Sequence, residues 1–147
     1  MESALRKDAN KVPLQDVNGL TTIKAITFAT TAGAQTLFTV TGDVILRVFG
    51  ICKTDVASAG GCNVVVGVSG DTDAFLTSTD ATLLAANEIW HDNSPDASIE
   101  LDSVSVTHIV SNGQDVILTP SATLNSGAVT FYCQWRPLSD NGEITAA

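Results

Sequence analysis

The chain has 147 residues, enough for one domain with a real core, and it is 44% hydrophobic but only 16% charged, below the roughly 25% usual for a globular domain. Its formal net charge of −9 argues against direct nucleic-acid binding, which needs a basic footprint. No apolar stretch approaches the roughly 20 residues of a membrane span, and no signal peptide opens the chain, so a soluble protein made in the cytoplasm is expected.

Residues 1–20 read as an extended arm. Polar residues dominate from Glu2 to Asn10, Pro13 blocks a helix, and Gly19 breaks the chain again. The apolar Leu5, Val12, Leu14 and Val17 follow no period, and Arg6, Lys7 and Lys11 gather here, leaving the body more acidic. A segment of this kind cannot build a core of its own. It is expected either to stay loose or to lie along another surface.

The body, residues 21–147, reads as strands divided by turns. Ile23 to Thr30 alternates weakly, Thr36 to Thr41 is β-branched and aromatic, and Gly42-Asp43 turns. Val44 to Lys53 is the strongest run. Val44, Leu46, Val48 and Cys52 share one face, and Ile45, Phe49 and Ile51 the other. Residues 57–61, Ala-Ser-Ala-Gly-Gly, read as a hairpin connection to a Val-rich strand at Asn63 to Ser69. Thr79 to Asn87 is the one helix candidate, capped by Thr79 or Asp80. Glu88 to Trp90 suits a short strand, and Ile99 to Val110 one or two, before the turn dipeptide Asn112-Gly113. Asp115 to Thr119 is another short strand.

The last strand, Ala128 to Ser139, places Val129, Phe131, Cys133 and Trp135 on one face and Thr130, Tyr132, Gln134 and Arg136 on the other. Pro137 stops its pairing, and the strand is expected to close the fold. The sum is an all-β chain of seven or eight short strands, an antiparallel β-sandwich or barrel, with at most one short helix. A sandwich buries one face of each sheet. The second apolar face of the 44–53 run needs cover from the arm, a loop or another subunit, and together with the low charge content it predicts a homo-oligomer, with Ile45, Phe49, Ile51, Trp90 and Trp135 as interface or core residues.

Catalytic and metal-binding patterns are not apparent. Cys52, Cys62 and Cys133 are widely spaced and odd in number, so structural free thiols are expected, with a Cys52–Cys62 bridge left open. His91 and His108 lack metal-ligand spacing. Gly70-Asp71-Thr72-Asp73 begins like a calcium loop but lacks the further ligands, so an acidic turn is the better reading. No nucleophile elbow, P-loop or Rossmann fingerprint occurs. An enzyme is not expected, nor any cofactor.

Four stretches together resemble small virion proteins of tailed bacteriophages. They are Ala4 to Pro13, Thr39 to Val44, Asn87 to Asp92, and Ser126 to Ser139, and their order and spacing extend the resemblance over most of the chain. The resemblance implies a capsid decoration, or cement, protein with a jelly-roll-like sandwich. It would sit over capsomer junctions as a homo-oligomer, with a trimer favoured. Its arm (Leu5, Arg6, Lys7, Lys11, Val12 and Leu14) would lie on the major capsid protein or another virion protein. A neck, tail or fibre-base module is an alternative. So is a virion-borne adhesin that binds a host glycan through Trp90, His91 and Asp92.

Overall fold

The computed structural model describes residues 19–100 and 107–147. Eleven strands run in chain order among the described residues: β1 (Leu20–Thr27), β2 (Gln35–Thr41), β3 (Val44–Ser58), β4 (Asn63–Val68), β5 (Asp71–Asp80), β6 (Glu88–Trp90), β7 (Asp96–Ala97), β8 (His108–Val110), β9 (Val116–Pro120), β10 (Leu124–Pro137) and β11 (Glu143–Ala146). They form two antiparallel sheets packed as a sandwich. The first sheet has the order β1-β10-β3-β6-β7, with β8 also on β3; the second has the order β11-β2-β9-β4-β5.

The alternation read from the sequence sets the layers. Val44, Leu46, Val48 and Cys52 of β3 and Val129, Phe131, Cys133 and Trp135 of β10 are all buried. They join Phe38, Val40, Val64, Val66, Leu76, Val116, Leu118 and Ile144 of the second sheet in one core. Burying such side chains contributes about 1.5–3 kcal/mol each. At the centre, Gly50 pairs with Phe131 on one side and Trp90 on the other. Lacking a side chain, it lets those two rings meet edge to face, 5.8 Å between centroids. A Cβ at Gly50 would sit 2.9 Å from Val129 Cγ1.

Each tryptophan also ties the sheets together. Trp90 Nε1 donates to Thr79 Oγ1 of β5 at 2.9 Å. At the other margin Trp135 Nε1 donates to Thr22 Oγ1 at 2.9 Å, and that hydroxyl donates to the Ile144 carbonyl of β11 at 3.1 Å. Both indole N–H groups are thereby satisfied inside the core, where an orphan would cost about 1–3 kcal/mol.

Several expectations require correction. The 57–61 stretch is not a hairpin: β3 lies in the first sheet and β4 in the second, so this loop crosses between layers. Asn112-Gly113 does turn, with φ of 60° and 65°, but it also carries the chain from one sheet to the other. The Thr79 to Asn87 helix is replaced by the end of β5 and one turn of 3-10 helix at Ala81–Leu83, capped by Asp80 Oδ1 on Thr82 N at 2.9 Å. The following backbone serves β3 instead, with Val56 N donating to Leu84 O and Asn87 N to Cys52 O, both at 2.9 Å. The acidic turn is only its first residue, because Asp71, Thr72 and Asp73 already belong to β5. In the 99–110 stretch, β8 is the strand among the described residues. Nor does the tryptophan strand close the fold, since β11 follows it and pairs with β2. Leu20, placed in the arm by the sequence, starts β1.

Candidate assembly face

The residues that point away from the core on the first sheet lie in register across it. Ile45 of β3 has Arg136 of β10 on one side and Ile109 of β8 on the other. Arg47 lies beside Gln134, Phe49 beside Tyr132 and then Ile23, and Ile51 between Thr130 and Ile89. Ile89 is followed by Asp96 of β7. Phe49 and Tyr132 stack with centroids 5.3 Å apart and planes 16° apart. Arg47 Nε donates to Gln134 Oε1 at 2.6 Å. Ile45, Phe49 and Ile51 are half-buried, while Ile23 and Ile109 are 53% and 73% exposed. The sheet therefore presents aromatic and branched aliphatic side chains to the outside as well as to the core.

The two tryptophans do not share this face. Trp90 is fully buried and Trp135 is 8% exposed. Of the five residues singled out for interface or core, the structure thus brings Ile45, Phe49 and Ile51 together outside and sends Trp90 and Trp135 inside. Trp90 offers no ring face on which a sugar could stack. The arm residues Leu5, Arg6, Lys7, Lys11, Val12 and Leu14 lie outside the described residues.

Two further clusters are not legible in the sequence. His91, 7% exposed, places Nε2 3.2 Å from Asp92 Oδ2 and 3.2 Å from Glu100 Oε2, with Nδ1 3.4 Å from the Ile89 carbonyl. The contacts tie the β6–β7 loop to the chain beyond β7, and they become ion pairs when the imidazole carries its second proton. Glu100 is nine residues away, and only the β6–β7 ribbon brings it back. At one end of the sandwich, Asp43 ties its own turn to two others. Its Oδ1 accepts from Asn112 N at 3.0 Å, its N donates to Ser139 Oγ at 2.9 Å, and its carbonyl accepts from Leu138 N at 2.9 Å.

The cysteines are free and buried. Cys52 Sγ contacts the Thr54 and Leu84 carbonyls and Cys62 Sγ that of Ala122, so no bridge joins them. Burial pushes the Cys133 thiol up to about 12. Burial and then the negative charge of Asp55 push Cys52 up to about 11. Thiols so raised are poor nucleophiles. Among the described residues, no group of three or more His, Cys, Asp or Glu side chains is placed to hold a metal ion, and no helix is long and apolar enough to cross a membrane.

The fold and face define an antiparallel β-sandwich with one apolar outward layer. Its architecture is similar to that of a chain in the acid-stable capsid structure of Helicobacter pylori bacteriophage KHP30, with a TM-score of 0.50, 11% identity, and coverage of 88% of this chain and 94% of that one. At that identity the likeness is one of fold. No protein-family model and no curated protein matches the chain.

Proposed function

We propose that this protein is a structural component of a tailed-phage virion, and more specifically a capsid decoration protein that binds the outer capsid surface at capsomer junctions. The observation that carries the reading is the shared architecture, over 88% of the chain, with a chain from a phage capsid structure. The sequence resemblance to small virion proteins points the same way. So does a surface with an apolar face and few charges, as expected of a protein that works in an assembly. The proposed role is mechanical: the sandwich is a rigid block, and the arm of residues 1–18 is the tie to the capsid. Ordering that arm costs roughly 1–2 kcal/mol per residue of backbone, so only a specific docking surface offsets it.

The test is co-sedimentation of the purified protein with capsids of the phage whose genome encodes it, stripped of the protein. Saturable binding by the full chain is expected, with loss of binding when residues 1–18 are removed and an unchanged far-UV spectrum. Absence of binding by the full chain would overturn the decoration role. Normal binding by the shortened chain would overturn the arm's part in it.

A further inference from the structure

We propose that the outer face of the six-stranded sheet is where a second copy of this chain docks, about a two-fold axis that brings Arg136 of each copy to Asp96 of the other. The inference goes beyond the virion reading and stands or falls independently of it.

Charge selects the occupant. Two copies of a chain carrying −9 repel, so a face by which they meet must be spared carboxylates. This face is. From the row of Ile45 to the row of Ile51, the outward residues of β1, β10 and β3 are Ile23, Ala25, Thr130, Tyr132, Phe49 and their neighbours, without one Asp or Glu. The charged groups there are Arg47, which bonds Gln134, and the exposed Arg136 at one corner. Among the described residues of this face, a carboxylate enters only at the far margin, on the exposed Asp96 of β7, which pairs with Ile89 and shares its side of the sheet. A cation at one corner, a carboxylate at the opposite margin and an apolar middle make a self-complementary surface. An isologous two-fold contact requires that arrangement.

The dimensions agree. Arg136 and Asp96 are three strands apart and lie in the rows of Ile45 and Ile51. At about 4.8 Å per strand and 3.3 Å per residue, they are roughly 25 Å apart on the diagonal. The midpoint of that diagonal falls beside Phe49. The axis would thus pass next to the stacked Phe49–Tyr132 pair, with a charge pair on each flank. The footprint, roughly 20 Å on a side, is about half the ~800 Å² per partner of a stable interface, so association should be concentration-dependent.

Sedimentation velocity over a hundredfold concentration range, using the full chain, tests this. The mass is expected to rise from one chain to two. Arg136→Asp and Asp96→Arg should each weaken association about tenfold, and the doubly swapped protein should recover most of it. Ile23→Asp, at a 53% exposed position, should weaken it, whereas Thr145→Asp on the opposite sheet should not. All these positions are exposed, so an unchanged melting temperature separates association from folding. A single chain at every concentration, a mass of three copies, or a double swap as weak as either single swap would overturn the proposal.

Discussion

The two outward faces of this sandwich solve the same strand problem with different side chains. On the five-stranded sheet, Thr39 pairs with Thr145 and Thr41 with Glu143, all exposed, and Thr36 and Thr119 continue the pattern around half-buried Val65 and Ile117. Threonine satisfies the β-branched preference of a strand while leaving a hydroxyl for water. On the six-stranded sheet, Ile23, Ile45, Phe49, Ile51, Ile89, Ile109 and Tyr132 occupy equivalent outward positions. The inner faces are alike in burial, so folding alone does not demand the difference. An apolar layer where threonine would serve is the surface that the proposed second copy would cover.

The comparison breaks first at the core beneath it. Trp90→Ala should cost about 3–5 kcal/mol in denaturant unfolding, since it empties the site beside Gly50 and leaves Thr79 without its indole donor. Trp135→Ala, at a slightly exposed position, should cost less; an equal cost would mean that the two sheet margins are equivalent.

Alkali should sharpen the contrast next. The Cys133 and Cys52 thiols are raised in the folded protein, so the folded state holds their protons longer than the unfolded one. Their stabilising contribution is full below the unfolded thiol value near 9.0 and is lost as pH rises toward about 11 and about 12. Each thiol should therefore remove about 1.4 kcal/mol per pH unit within that window. Cys133→Ala should flatten the fall, as read from unfolding free energies between pH 8 and about 10.

Smallest are the outward faces themselves. Phe49→Thr should cost about 1 kcal/mol, mostly the lost stack on Tyr132. Thr39→Ala on the other sheet should stay within about 0.5 kcal/mol. A melting-temperature comparison at low concentration decides it. A larger loss for Thr39→Ala would show that the hydroxyl face carries stability rather than merely solubility.

How much of the molecule is legible in its sequence depends on whether the signal is local. The alternation in Val44 to Cys52 and Val129 to Trp135 defines both faces of the two longest strands, because side-chain period alone decides face. The odd-numbered set Ile45, Phe49 and Ile51 therefore marks the outward layer by spacing alone. β5 escapes such a reading because its pattern, Asp-Thr-Asp-Ala-Phe-Leu-Thr-Ser-Thr-Asp, is that of an edge strand, with little apolar period and charges that discourage further pairing. β11 escapes it because four residues with one buried side chain, Ile144, leave no period to read. The helix expected over Thr79 to Asn87 fails for a tertiary reason: β3 claims the backbone groups that the helix would use. Turn residues mark where the chain bends, but not whether it bends into the same sheet or across to the other. The His91 cluster depends on a pairing, β6 with β7, that only the fold supplies.

The ends of the block also differ in tolerance. One end is knotted through Asp43, whose backbone and carboxylate engage the 112 and 138–139 turns together, so an insertion there would cut several ties at once. At the other end, the 57–61 crossing carries Gly60 and Gly61 at positive φ, with nothing within 4 Å of where a side chain would stand. A peptide grafted between those two glycines would extend into open solvent from a rigid base, which makes this loop the natural place to display cargo on the protein.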